Sequence, residues 1–324
     1  MRIGIITPAP PRSRYGNRVT ALRWARLLRQ LGHRVTVAQA CAGAAYDLLI
    51  ALHARRSHDS ITNFRRDYPN APVIVALTGT DLYHDLSVSH QVRQSLDLAT
   101  RIVVLQPKAV ADLPPHLQHK TRVIYQSAKP ENPDARRQTS RARGFQVCVI
   151  GHLREVKDPF RTALAARLLP ASSEIRVVHI GGAMEEEMEV GARTEMKSNP
   201  RYRWLGEQPR WRTQRILEQS RLCVLSSRLE GGANVLSEAI AAGVPIIASR
   251  IPGSIGILGE HYPGYFGVGR TRELTSLLRR AETDSAFLVE LQTRCRSLVP
   301  LFDPAHEQRA WADLLEEVID QVDG

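Results

Sequence analysis

The tightest constraint on this chain is a repeated one. Short apolar runs, many of them β-branched, recur, most of them without polar alternation, and helix-forming stretches separate them. A strand with one wet face alternates, whereas a strand covered on both faces reads as a continuous apolar run. Such runs lie at Ile3–Thr7, Val35–Ala38, Leu48–Leu52, Val73–Leu77, Ile102–Leu105 and Val123–Tyr125. They resume at Gln146–Ile150, Arg176–Ile180, Tyr202–Leu205, Leu222–Leu225, Pro245–Ala248 and Tyr265–Val268. Between the first two runs, NRVTALRWARLLRQLGH predicts a helix with Ala21, Leu22, Ala25, Leu28 and Leu31 on one face and Gly32 placed to end it.

The pattern breaks at residues 128–143, AKPENPDARRQTSRAR, which are rich in proline and charge and read as a linker. Strand–helix alternation on either side of it predicts an α/β chain of two Rossmann-like domains, with parallel sheets facing across a cleft. The expected division is 1–127, a linker over 128–143, and 144–303, with a C-terminal helix over 304–324 that packs back on the first domain. A length of 324 residues is comfortable for two cores. In such sheets, ligands bind beyond the carboxyl ends of the strands.

Composition narrows the function classes. The net charge of +11 is spread along the chain, with no basic stripe interleaved with aromatics, so a nucleic-acid partner ranks low. A basic solvated surface or a small anionic substrate accounts for it better. No apolar run of membrane-spanning length occurs, and RIGIIT at the start leads straight into a fold, so no membrane partner and a cytoplasmic location are expected. Cys41, Cys148, Cys223 and Cys295 form no CxxC pair, which fits buried reduced thiols rather than zinc. An Asp-x-Asp motif, a GxGxxG after the first strand and a P-loop are all absent.

Two segments carry chemistry. EGGANVLSEAIAAGVPIIAS, residues 230–249, sets Glu230 and Glu238 on either side of a glycine-led helix start. Backbone N–H groups at such a start suit an anion, and carboxylates beside it suit hydroxyls. An anion and hydroxyls together describe a nucleotide sugar. GHLREVKDP, residues 151–159, follows a strand and brings His152, Arg154 and Lys157 close in sequence. Cations there favour a departing diphosphate, although alone the segment also reads as an ordinary charged loop. Gly181–Gly182 read as a turn with at most a weak ligand role, and Glu185–Glu187 with Glu189 as a solvated helix face.

Strand–GHLREVKDP, then YRWLGEQP, then SSRLEGGANVLSEAIAAGVPIIAS resembles the nucleotide-binding half of GT-B glycosyltransferases of family 4 type. The resemblance implies that Glu230 faces the donor sugar and Glu238 holds the ribose. It also implies that the backbone of Gly231, Gly232, Ala233, Asn234 and Val235 meets the phosphates, and that Leu205 lies beside the donor. Lys157 matches the family's diphosphate-binding lysine. The family's arginine usually follows the glycine directly, where this chain has His152; Arg154 lies two residues on, so the division of labour between them stays open.

RIGIITPAPPRSRYGNRVTALRWARLL, LTGTDLYHDL, GHLREVKDPF and RLEGGANVLSEA together resemble the selenosugar synthases of selenoneine biosynthesis. That resemblance implies transfer of a sugar from a UDP-sugar to selenophosphate, giving a 1-seleno-sugar with loss of phosphate. It implies only small-molecule substrates, no required cofactor and no protein-bound metal. Neither the sugar nor the oligomeric state follows. A conventional hydroxyl acceptor is the alternative, and a basic nucleic-acid-binding protein a low-ranked one. The loop at residues 8–18 (PAPPRSRYGNR) suits an anionic acceptor, with Arg12, Ser13, Arg14, Gly16, Asn17 and Arg18 at a helix start. A mobile proline-rich loop is its plainer reading. Thr78, Gly79, Thr80 and Asp81 follow another strand; Asp81 is equally well read as a helix N-cap or as a group facing a sugar or cation. His53 and His84 are possible bases, though a lone histidine is more often structural.

Overall fold

The structure is a computed structural model that describes residues 1–41, 43, 45–130 and 144–323. The linker expectation therefore lies outside the described residues from 131 to 143. The chain divides into two compact units. Unit 1 is Met1–Gln126 with Glu230–Gly232 and Pro304–Gly324; unit 2 is Ser127–Leu229 with Ala233–Asp303. Each contains one six-stranded parallel sheet, so the α/β class with two Rossmann-like sheets is as the sequence implies.

In unit 1 the strands are β1 (Arg2–Ile6), β2 (Arg34–Ala38), β3 (Leu48–Leu52), β4 (Val73–Ala76), β5 (Arg101–Val104) and β6 (Thr121–Val123), in the spatial order β2-β1-β3-β4-β5-β6. The lack of alternation has a direct cause. Leu48, Ile50 and Leu52 of β3 enter one core with Trp24 and Trp311, while Leu49 and Ala51 enter a second core with Phe64 and Val92 on the opposite face. β6 starts two residues earlier than predicted. Its pairing begins at Thr121 against Ile102 and ends at Val123 against Val104; the apolar Ile124 beyond it donates the closing hydrogen bond to Val104 O at 2.9 Å and enters the core.

Helix Gly16–Gln30 buries Thr20, Ala21, Trp24, Ala25, Leu27 and Leu28. Leu22 is a correction to the predicted face: it is 48% exposed. It sits about 100° round the helix from Ala21, on the side away from Trp24 and Leu28. The end is as predicted. Gly32 has φ 88° and its N–H donates to Arg29 O, while His33 N donates to Leu28 O, which makes a Schellman cap. Helix Pro304–Asp323 joins this unit. Trp311 meets Trp24 edge-on with centroids 4.8 Å apart, and buried Glu307 accepts Trp24 Nε1–H at 2.8 Å and pairs with Arg23 at 3.1 Å.

Unit 2 contains β7 (Phe145–Ile150), β8 (Ile175–Ile180), β9 (Tyr202–Trp204), β10 (Leu222–Leu225), β11 (Ile246–Ser249) and β12 (Tyr265–Phe266), ordered β12-β11-β10-β7-β8-β9. β12 is an edge strand of two residues rather than four, because its pairing stops at Phe266 and Gly269 turns the chain into helix Thr271–Thr283. Cys148 and Cys223 face one another in register on β7 and β10. All four cysteines are free, and Cys148, Cys223 and Cys295 are buried. Burial pushes the Cys148 thiol up to about 12. Among the described residues, no helix is long and apolar enough to cross a membrane.

The two strand orders fix where loops converge. In unit 1 the order reverses between β1 and β3; in unit 2 it reverses between β7 and β10. At such a point, neighbouring loops run to opposite faces of the sheet and leave a crevice beyond the strands' carboxyl ends.

Candidate active site

The segments at 151–159 and 226–233 leave β7 and β10, the two strands that flank the reversal in the unit 2 sheet. The sequence reading placed its cations on the first segment and its glutamates on the second, and topology brings the two strand ends together. The junction is tied by backbone. Ser226 Oγ donates to Lys157 O at 3.2 Å and to Asp158 O at 3.0 Å, and Arg228 N donates to Val156 O at 2.8 Å. Ser249 Oγ donates to Ser227 O at 2.5 Å, tying in the end of β11. Within the first segment, Glu155–Lys157 forms a 3-10 turn that ends at Asp158 in the left-handed region, φ 45°. Asp158 then pairs with Arg161 at 2.8 Å. These contacts hold Arg154 and Lys157 half-buried at the strand end.

His152 is also half-buried, and its Nδ1 accepts Gly182 N–H at 3.2 Å. An accepting Nδ1 puts the proton of the neutral ring on Nε2. Behind it, His179 is fully buried between Tyr202 OH at 2.9 Å and Gly151 O at 3.1 Å. Burial lowers its pKa from the usual 6.5 to about 4, partly offset by the Gly151 carbonyl. Gly181 has φ 152°, and a Cβ there would overlap the Gly151 carbonyl group. It is thus a close-approach glycine that lets the β8 loop lie against the β7 loop.

Helix Asn234–Ala241 begins after Ala233, and no side chain caps its start. Its first turn bears no acidic residue, which keeps the positive end of the helix available to an anion. Val235 is buried and Asn234 half-buried in that first turn. Glu238, one turn on, is 15% exposed and lies 3.9 Å from Arg210. Glu230 is half-buried, Gly231 buried and Gly232 half-buried in the loop before the helix. Leu205 follows β9, its N–H donating to His179 O at 2.9 Å and its carbonyl accepting Gln208 Nε2 at 2.5 Å.

In unit 1 one candidate loop follows β1, beside the reversal, and the other follows β4, one strand further along the sheet than β3. The 8–18 loop follows β1; Arg12, Arg14 and Gly16 are exposed there, Asn17 and Arg18 half-buried. Arg12 takes a left-handed φ of 65°, and Ser13 closes a turn on Pro10 O through both its N–H and its Oγ. Tyr15 precedes helix Gly16–Gln30 without a side-chain cap. The Nε of Arg18 is a buried donor without a hydrogen-bond partner.

The Thr78–Asp81 loop follows β4, and Asp81 is its clamp. It is fully buried. Its Oδ1 accepts Thr78 N at 2.9 Å, Gly79 N at 2.9 Å and Thr78 Oγ1 at 3.3 Å, while Oδ2 accepts Ala54 N at 3.0 Å. The carboxylate serves its own loop and the end of β3, and Gly79 meets the geometry with φ 140°. His53, after β3, is 2% exposed with its Nε2 3.0 Å from Thr80 Oγ1. Burial lowers its pKa, opposed by the nearby Asp81. His84 instead stands exposed, with Nδ1 2.9 Å from Asp85.

Sequence reasoning missed Ser226, Asp158 and the His179–Tyr202 pair. The one available signal was hydroxyls directly after an apolar strand, SSR at 226–228. Among the described residues, no cluster of three or more His, Cys, Asp or Glu side chains is arranged to hold a metal ion.

The model of the family "Glycosyl transferases group 1" matches residues 131–297, just over half of the chain. No curated protein matches significantly. Among solved structures, sucrose-phosphate synthase from Thermosynechococcus elongatus is similar at a TM-score of 0.80 and 17% identity, over 99% of this chain and 99% of that one. Anabaena Alr3699/HepE, solved in complex with UDP-glucose, is similar at 0.75 and 17%, over 98% and 100%. A glycosyltransferase from Rickettsia africae ESF-5 is similar at 0.73 and 11%, over 98% and 98%. At these identities the likeness speaks for the GT-B fold, and the family match speaks for descent: the chain belongs to the glycosyl transferases group 1 family.

Proposed function

We propose that the protein transfers a sugar from a UDP-sugar to selenophosphate, releasing UDP and phosphate and leaving a 1-seleno-sugar. One observation carries the donor half: the two segments bearing Lys157 and the glutamates leave the strands on either side of the order reversal in unit 2. Anabaena HepE, of the same fold, was solved with UDP-glucose, which supports a UDP-sugar as donor. In this reading residues 144–303 are the donor domain. Glu238 accepts the ribose hydroxyls, Glu230 faces the sugar, and the uncapped start of helix Asn234–Ala241 receives the diphosphate together with the backbone from Gly231 to Val235. His152 and Leu205 line the same donor. Lys157 and Arg154 take up negative charge as the bond to the sugar breaks, which lowers the barrier more than it tightens the ground state.

Residues 1–127, with the 304–324 helix, form the acceptor domain of this reading. Arg12, Arg14 and Arg18, with Gly16 and Asn17 at the helix start, receive the phosphate-like oxygens, and the Thr78–Asp81 loop supplies Thr78, the Gly79 backbone and Thr80. The histidine nearest that loop, His53, is buried and already bonded to Thr80, which favours an acceptor that arrives as an anion over a hydroxyl that needs a base. Selenium forms the new bond to the anomeric carbon as the carbon–oxygen bond to UDP breaks, its electron pair leaving on the diphosphate. Water then cleaves the Se–P bond, giving phosphate and the selenol. Neither step calls for a redox cofactor or a protein-bound metal. The free cysteines fit a cytoplasmic setting.

The test is UDP release from a panel of UDP-sugars with and without selenophosphate. Release that depends on selenophosphate supports the reading. Release that ignores it, or that responds instead to a hydroxyl acceptor, replaces it with a conventional family 4 type reaction.

A further inference from the structure

Among the described residues, three that are not glycine take a left-handed φ: Arg12 at 65°, His53 at 73° and Asp158 at 45°. Their positions are not scattered. They follow β1, β3 and β7, three of the four strands that flank the two order reversals. Left-handed backbone at a residue with a Cβ is strained, and it persists only where its surroundings over-determine it. Arg12 is exposed and Asp158 closes a turn whose role is clear. Asp158 is held by Arg161 within its own segment, whereas the ring of His53 reaches a different loop, at Thr80.

The backbone of His53 is pinned on both sides. Its N–H donates to Ala76 O of β4 at 2.9 Å, and its carbonyl accepts Ser57 N at 3.0 Å. The left-handed turn between these bonds accompanies an imidazole directed at the Thr78–Asp81 loop. Nδ1 accepts Arg56 N–H at 3.4 Å, so Nε2 carries the proton and donates to Thr80 Oγ1 at 3.0 Å. Thr80 is half-buried, and His53 fills an acceptor position on its oxygen. The hydroxyl hydrogen of Thr80 is then oriented by default: it donates elsewhere. Asp81 fixes the same loop from the other side through Ala54, the residue after His53.

We infer that His53 is a positioning residue that turns the Thr80 hydroxyl into a directed hydrogen-bond donor for an anionic oxygen of the acceptor. The inference rests on reading unit 1 as the acceptor domain. Glycine or asparagine would accept φ 73° as readily, so the turn alone does not call for a histidine, and the contact of its ring with Thr80 does.

The experiment uses the full chain with a UDP-sugar and selenophosphate, reading UDP release, and compares Thr80→Val, Thr80→Ser, His53→Asn and the double variant H53N/T80V. Asparagine tolerates left-handed backbone but is too short to reach Thr80. Thr80→Val is expected to raise KM for selenophosphate by about tenfold or more, as for loss of a hydrogen bond to a charged group. UDP affinity by calorimetry stays within about twofold, because the donor residues are untouched. Thr80→Ser, which keeps the hydroxyl, stays within about threefold of the wild type in KM. His53→Asn reproduces Thr80→Val, and the double variant is no worse than Thr80→Val alone, because the two act as one unit. Should His53→Asn fail to fold, the Val and Ser pair at Thr80 carries the test. Unchanged selenophosphate KM in Thr80→Val, or a serine variant as impaired as valine, overturns the inference while leaving the proposed function standing. A wild-type enzyme indifferent to selenophosphate overturns both.

Discussion

Replacing Asp81 by asparagine tests the organisation of unit 1 with almost no change in shape. The wild-type carboxylate accepts from four donors: Thr78 N and Oγ1 and Gly79 N on Oδ1, and Ala54 N on Oδ2. An asparagine keeps only one acceptor oxygen. In its less damaging orientation the amide oxygen retains the Thr78 and Gly79 contacts, and the new NH2 group faces the Ala54 N–H. One charge-assisted bond is lost and one buried donor is left unsatisfied, a cost of about 2–4 kcal/mol. The flipped orientation is worse, because it abandons three donors to save one. For a unit of this size each kcal/mol is worth roughly 2–4 °C, so the unit 1 transition in differential scanning calorimetry should fall by about 5–15 °C. The His53–Thr80 contact hangs on the same loop, so selenophosphate-dependent UDP release should fall as well, while UDP affinity stays near wild type. Wild-type melting and turnover in Asp81→Asn would refute the clamp, and with it the physical account of why this loop has its shape.

Four further outcomes follow, two from the proposed function and two from the fold. Lys157→Ala should lower turnover by roughly 100-fold, as for loss of one electrostatic donor in the transition state; near-normal turnover removes it from the mechanism. Glu238→Ala should weaken UDP binding measured by calorimetry, and an unchanged affinity would reduce the carboxylate to a partner of Arg210. Gly181→Ala should cost about 2–4 kcal/mol, because φ 152° is strained for alanine and its Cβ would strike the Gly151 carbonyl; a variant as stable as wild type contradicts the close approach. His179 should titrate near 4 in histidine-detected NMR, against an ordinary 6.5. Because the folded value is depressed, the unfolded chain binds more protons between these values. The stability from neutral His179 is therefore full above pH 6.5 and is lost as pH falls towards 4, by about 3 kcal/mol. An unshifted titration refutes the buried neutral ring.

The central strands were legible because both their faces are covered: β3 sends alternate residues into two different cores, and no polar residue interrupts it, whereas β2 at an edge exposes Arg34 and Thr36. Boundaries failed at the edges, where β6 and β12 have one neighbour each: Ile124 enters the core just past the end of β6, and Val268 past β12 is exposed. Leu22 failed because the buried stripe is turned toward the opposite side of Ala21, where it takes in Thr20, Trp24 and Leu27. In the site, loops that follow strands could be read from glycines, hydroxyls and charges. What could not be read is the backbone conformation at His53 and Asp158, since a left-handed φ leaves no mark in the sequence when the residue is not glycine. Nor could the partners of Asp81: a carboxylate in TGTD looks free to meet a ligand until Ala54, 27 positions earlier, is found beneath it. Gly181 was visible as a turn, but its role depends on a carbonyl 30 residues away.

The central claim is the acceptor, and the product tests it most directly. The protein is incubated with a UDP-sugar and selenophosphate, and the products are analysed by mass spectrometry. The account predicts a sugar that carries one selenium, recognised by the isotope pattern of that element, formed in step with UDP and phosphate. UDP-sugar consumption that yields only free sugar, or a glycoside of an added hydroxyl compound, with no selenium in any sugar product, would contradict it.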